Sequence, residues 1–293
     1  MTRFYTAILL LLIPLLLSDQ AGAAPLRIAY SSISGAMLPL WVAKDTGLFA
    51  KHGVDVDLTY IRGVAIEALL AGEVQFVRAS PPSVVRSEDL KGKKIGVTNL
   101  GDSPDLVLSL LLEKWGLQRG KDLAVLGIRG GMPELLISVS KGFVDAGMIS
   151  APSNRRGIKM GLREFVDTAD LGIPYINSPL STRRSTIKNH RDTVLRVLRG
   201  YYEAVLRTRR DRDGAMKILA KYVRLTDPEI LSEVYQTYGL KQLQPDINVD
   251  IDGIKGLLKG LGSEAVGANP TTFVDLSLIA QLEREGFFSA RGR

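Results

Sequence analysis

Cysteine is missing from all 293 residues. Neither a disulfide framework nor a cysteine zinc site can be built, and lipid attachment through an N-terminal cysteine is excluded. Histidine is nearly missing too: His52 and His190 stand alone. A metal or general-base site needs several ligands or an oriented partner, so each reads more simply as a surface or helix-end residue. There is no Walker-type phosphate loop, no G-x-S-x-G elbow and no H-E-x-x-H, and Gly130-Gly131 lacks the spacing of a dinucleotide fingerprint. The expectation is a chain without catalytic residues, metal or cofactor, and not an enzyme.

No apolar run is long enough for a membrane span of about 18 residues. The block Ala7–Leu17 follows Arg3, is broken by Pro14, and leads through Ser18–Gln20 into Ala21, Gly22, Ala23 and Ala24. That is the pattern of a cleavable secretory leader, residues 1–24, and it predicts a soluble exported protein, periplasmic where an outer membrane is present. The net charge of +7 survives cleavage, because Arg3 and Asp19 cancel. The basic residues of Arg191–Arg212 alternate with Val194, Leu195, Leu198, Tyr201, Tyr202, Val205 and Leu206 at helical spacing. They read as a solvated helix face and not as a nucleic-acid surface; what remains is a weak field that attracts anions.

With 45% hydrophobic residues the chain can bury a large core. Its organising stretch is Leu26–Ile61. Leu26–Tyr30 is a short apolar strand that ends in Ser31, Ser32, Ser34 and Gly35. A helix follows, with Pro39 in its first turn, Leu40, Val42, Ala43 and Phe49 along one stripe, and Gly47 and Gly53 at its end. Val54, Val56, Leu58 and Tyr60 then alternate with Asp55, Asp57 and Thr59, the period of a half-buried strand. Strand, helix, strand makes a parallel crossover, and open parallel sheets bind ligands at the carboxyl ends of their strands.

The wording PLWVAKDTGLFAKHGVDVDL, followed later by DLKGKKIGV, closely resembles substrate-binding proteins of ABC importers in the nitrate, sulfonate, taurine and thiamine-pyrimidine-precursor-like family. The resemblance runs from Leu26 to the C-terminal helices. It implies an α/β, two-lobed periplasmic-binding-protein-like fold of type II, with parallel-sheet lobes, helices on both faces and a C-terminal helical segment. The implied division is lobe 1 at 25–86 plus 176–293 and lobe 2 at 87–175. One segment departs from the family: only Val84–Arg86 stand where relatives carry another helix and a crossing strand. A parallel crossover takes a dozen or more residues, so about 30 residues are missing relative to that pattern.

Strand and helix alternate through the second half of the pattern. Strands are expected at Val74–Val77, Lys94–Thr98, Leu123–Ile128, Phe143–Ile149 and Glu164–Asp167, and helices at Leu106–Trp115, Met132–Ser140 and Asn154–Met160. Ser103-Pro104 looks like an N-cap and first-turn proline. After an extended return through Tyr175–Ile187 the rest is helical: Arg191–Arg209 capped by Asn189, a capping box of Thr226 and Glu229, Asp250–Leu261, and a last helix Pro270–Glu285.

The candidate ligand-binding residues lie at predicted strand ends. Ser31, Ser32, Ser34 and Gly35 precede one helix; Thr98, Asn99 and Ser103 precede another, where free backbone N–H groups favour anions. Ser80, Gly130 and Ser150 occupy equivalent loops. Arg62, Arg78 and Arg129 each follow a strand and can grip an acidic group bidentately, although a solvated loop arginine is as common. Of the aromatics Tyr30, Trp41, Tyr60, Phe76 and Tyr175, Trp41 and Phe76 read as core and Tyr175 as ligand-facing. The resemblance implies a monomeric receptor that closes its lobes on a small anionic organic solute (sulfonate-, nitrate- or carboxylate-like) and hands it to an ABC permease in the inner membrane. An exported ligand sensor and a thiamine-pyrimidine-precursor binder are the alternatives.

Overall fold

The computed structural model describes residues 24–61, 65–78, 90–164, 179–243, 249–261, 265 and 267–288. The opening strand β1 (Leu26–Tyr30) runs into a 3₁₀ turn, Gly35–Met37, and then α1 (Leu38–Asp45), α2 (Leu48–Lys51) and β2 (Val56–Tyr60). The single helix expected here is two. Gly47 takes φ 70°, a left-handed conformation that ends α1 and redirects the chain into α2.

After α3 (Ala65–Ala71) and β3 (Phe76–Arg78), the second sheet begins with β4 (Lys94–Val97), α4 (Ser103–Lys114), β5 (Ala124–Gly127), α5 (Met132–Ser140), β6 (Ala146–Gly147) and α6 (Ser153–Lys159). The chain returns through β7 (Leu180–Thr182) to α7 (Arg184–Asn189), α8 (Arg191–Arg210), α9 (Arg212–Val223) and α10 (Pro228–Val234). A π-helix follows at Tyr235–Lys241, then α11 (Ile251–Gly260), a 3₁₀ turn at Pro270–Phe273 and α12 (Ser277–Arg284). The expected final helix is broken: the 3₁₀ turn ends at Val274, whose backbone is extended (φ −126°, ψ 151°), and α12 starts afresh at Ser277, whose amide donates to Asp275 (3.0 Å). Asp227, not Thr226, caps α10. No helix among the described residues is long and apolar enough to cross a membrane.

The first sheet has the order β2-β1-β3-β7. β1 is parallel to β2 (Leu26 opposite Val56) and to β3 (Ile28 opposite Phe76), whereas β7 is antiparallel to β3 (Phe76 opposite Thr182). The second sheet, β5-β4-β6, is parallel throughout. The shortened segment around Val84–Arg86 and the expected strand residues Phe165–Asp167 lie outside the described residues.

Each sheet has its own core. The first joins β1, α1 and α2 to α8, α9, α10 and α12, with Trp41, Phe49, Tyr202, Tyr235 and Phe288 all but inaccessible. Gly200 lets α2 lie on α8: a Cβ there would stand 2.9 Å from Phe49 Cδ1 and 3.1 Å from the Leu48 carbonyl oxygen. The second core gathers Leu90, Ile95, Val97, Leu108, Leu111 and Met148 around β4 and α4.

Candidate functional site

Three hydroxyls follow β1. Ser32 Oγ donates to Ser34 Oγ at 3.3 Å, and Ser34 is fully buried, its carbonyl accepting from the Met37 amide (3.0 Å) as the 3₁₀ turn begins. Gly35 lies under the π-helix and α10: a Cβ on it would be 2.5 Å from Val234 Cγ1 and 2.6 Å from Tyr238 Cδ2. Only glycine fits this turn without displacing them.

The β4 loop has a different chemistry. The Thr98 hydroxyl donates to Asp102 Oδ2, and Asp102 Oδ1 accepts from the Asp105 amide (3.2 Å). Asp102 is therefore the N-cap of α4 in place of Ser103, which stands at its first position with Pro104 second. Asp105 in turn accepts from the Gly101 amide (2.7 Å) and pairs with Arg119 (2.6 Å), whose guanidinium also donates to Ser109 Oγ (2.7 Å). Two carboxylates of the chain itself occupy the helix N-terminus that the sequence left open for an anion. Burial pushes the Asp102 carboxyl up to about 6, with the bonds from Thr98 and the Asp105 amide pulling the other way.

Arg129 and Gly130 end the β5 side. Gly130 has φ 116°; Arg129 is exposed, with no hydrogen-bond or ion-pair partner among the described residues. Ser150 follows β6, 1% exposed, its Oγ without a hydrogen-bond partner among the described residues. Next to it Ala151, joined to Pro152 by a cis peptide, packs into the first core.

That contact brings candidate residues of the two sheets together. Ala151, Asn154 and Arg155 face Val234, Thr237 and Tyr238 across a gap of about 20 Å³, and Val234 and Tyr238 are the residues seated on Gly35. The facing helices are pinned by charge: Arg155 pairs with Glu233 (3.0 Å), and Lys159 with Asp227 and Glu229 (2.7 Å each). Arg156 also donates to the Arg224 carbonyl at 3.3 Å. Hydrogen bonding to Lys159 holds the Asp227 carboxyl below its ordinary range.

Arg62, Ser80 and Tyr175 lie outside the described residues, and of Arg78 only the backbone is described, closing β3 opposite Tyr30. The aromatics form a ladder at the ends of β1 and β2. Tyr30 stacks on Tyr60 (centroids 5.4 Å, planes 28°) and meets Trp41 edge-on (5.9 Å, 80°), while Trp41 lies flat on Tyr222 (4.7 Å, 7°). Trp41 and Phe76 are core, at 0% and 1% exposure. Burial raises the Tyr30 phenol above its ordinary pKa and does the same to Tyr222, with help from Asp45. Sequence reasoning missed Asp102, Tyr222, Val234 and Tyr238. Asp102 could have been found as the cap-type residue one place before Ser103-Pro104; the others meet the site only through folding.

A larger cavity, about 280 Å³, lies on the second sheet between α5, β6 and α6, lined by Leu136, Val139, Gly147 and Ile158 among others. Among the described residues no three His, Cys, Asp or Glu side chains converge as a metal site would.

Residues 76–213 match the family model described as NMT1/THI5 like. The resemblance read from the sequence is borne out, and the fold is that of periplasmic binding proteins. The alkanesulfonate-binding protein SsuA from Xanthomonas axonopodis pv. citri, solved with MOPS, is 21% identical, with 88% of this chain and 97% of that one covered at a TM-score of 0.65. The nitrate-binding protein NrtA from Synechocystis PCC 6803 is 10% identical over 89% and 88% of the two chains, TM-score 0.69. A desulfurization enzyme, DSZB, shares the architecture at 17% identity, 89% and 99% coverage and TM-score 0.55. No curated protein matches the chain.

Proposed function

We propose that this chain is an exported, monomeric receptor that captures a small anionic organic solute, sulfonate-, nitrate- or carboxylate-like, between two lobes and delivers it to an ABC importer in the inner membrane. The lobes are residues 25–86 with 176–293, and 87–175; residues 1–24 are the cleaved leader. One observation carries this reading: the strand-end turns Ser34-Gly35 and Ser150-Ala151 approach each other across Tyr238, in a fold shared with sulfonate- and nitrate-binding proteins. Closing two lobes on a solute makes contacts that exist only in the closed state, so the solute shifts the population toward closure. Arg129, at the end of β5 and without a partner among the described residues, supplies a cation, while Asp102 limits how much anionic charge the α4 side accepts.

The stacked Tyr30 and Tyr60 favour a second reading, a flat heteroaromatic solute such as a thiamine-pyrimidine precursor. We assign no catalytic residue, although DSZB is an enzyme on this architecture.

Thermal-shift screening of the mature protein against alkanesulfonates, nitrate, aromatic carboxylates and aminopyrimidines separates these readings. A solute at 100 times its Kd adds about 2.7 kcal/mol of stability. A hit recovered unchanged after incubation supports a receptor; a converted one makes the chain an enzyme; no hit among the anions removes the anion assignment.

A further inference from the structure

The C-terminal chain does not stay with the first core. Before α11, Leu243 packs in that core, and Arg209 donates to the Leu240 and Leu243 carbonyls at 2.7 and 2.6 Å. After α11 the chain is back: Arg184 donates to the Thr272 carbonyl, Arg191 to Ser277 and Gln281 (3.0 and 3.1 Å), and Leu278 and Leu282 are core residues. Between these anchors α11 lies on α4, a helix of the second sheet. Its Ile254 and Leu258, one turn apart on one face, are 5% and 8% exposed. Lys259 Nζ reaches Glu113 Oε1 of α4 at 2.7 Å.

We infer that α11 is a strap: a helix tethered at both ends to the first lobe that docks on α4 of the second and so restrains how far the lobes separate. It is distinct from the β3–β4 connection and from the return through β7, and it acts on a different helix from the Lys159 pins on α6. A docked helix anchored on both sides gives the second lobe a third attachment, and its two chemical parts are separable. The apolar part is Ile254 and Leu258; the polar part is the exposed Lys259–Glu113 pair, 62% and 53% accessible, whose contribution is small and salt-sensitive. Opening the lobes fully requires α11 either to leave α4 or to draw its tethers out. The inference rests on the division into lobes and is independent of the solute.

A chain without cysteine can be labelled at will. With Lys141→Cys and Lys217→Cys, both exposed and one on each lobe, spin labels report the inter-lobe distance distribution by pulsed EPR without any solute. Glu113→Lys should lower the ratio of short to long distances by about 1.4- to 5-fold, the range an exposed ion pair sets, and Glu113→Lys with Lys259→Glu should restore it. Leu258→Asp should lower the ratio about tenfold or more, since it removes a buried leucine from the docked face. Should Leu258→Asp fail to fold, judged by circular dichroism, the charge swap still decides. A distribution unchanged by Glu113→Lys, or not restored by the swap, overturns the strap.

Discussion

Tyr238 presses on Gly35 so closely that a Cβ added to the glycine would lie 2.6 Å from the ring, with Val234 at 2.5 Å on the same side. Gly35→Ala should therefore cost about 1–3 kcal/mol as an overpacked contact, measured by urea unfolding. Val234→Ala in the same chain should recover part of it, because the two sites share one contact. Additive losses would mean that the turn yields and the π-helix does not.

Trp41 is wholly buried and stacked on Tyr222. Trp41→Ala should cost about 3–5 kcal/mol, the range for a large aromatic removed from a core. Tyr222→Phe keeps the stack and loses the hydroxyl bond to the Asp45 carboxylate (2.9 Å), so it should cost less, about 1.5–3 kcal/mol. Equal losses in the two variants would contradict this ranking.

Asp102 sets a pH dependence of unusual sign. Its folded value of about 6 stands above the ordinary 3.8, so between those values the folded state holds a proton that the unfolded chain has released. Stability from this group is present at low pH and is lost as pH rises from about 4 to about 6, by about 3 kcal/mol at most. Asp102→Asn should flatten that segment of a melting-temperature profile. A parent profile that rises across the same window, with no change in the variant, would refute the burial argument.

Arg129 is exposed, with no hydrogen-bond or ion-pair partner among the described residues. Arg129→Ala should leave stability within about 0.5 kcal/mol and weaken an anionic solute by about 1.5–3 kcal/mol, read by calorimetric titration. Unchanged affinity for the solute found by screening would remove Arg129 from the site.

The abbreviated connection offers a fifth test. Inserting a family-like segment of about 30 residues between Val85 and Ser87, long enough for a crossover, should raise the melting temperature, because it covers more of an open sheet edge. No gain would mean that the short connection is complete as it stands.

Much of the fold was legible because period and punctuation suffice for local structure. The alternation Val54 to Tyr60 gave β2 within two residues, and Arg191 onward gave α8. Boundaries failed where a single side chain decides them: Asp102 took the cap from Ser103, Asp227 took it from Thr226, and Gly47 split a helix. The site was legible only as a set of strand ends. That Tyr238 and Val234 would cover Gly35, or that α11 would reach α4, depends on contacts between residues far apart in the chain, for which one sequence carries no local signal.

The antiparallel β7 has a consequence for the order in which the molecule assembles. The second sheet and its core come from one continuous stretch, residues 90–148, whereas the first core joins residues 28–76 to Ala151 and residues 194–288. A chain is made from its N-terminus, so the second sheet can close while the first core still waits for α8 and α12. Until then β1, β2 and β3 present unpaired apolar surface, and closing so long a loop is intrinsically slow. The first part of the protein to be made is thus the last to become native, and the hazard of aggregation falls on β1, β2 and β3.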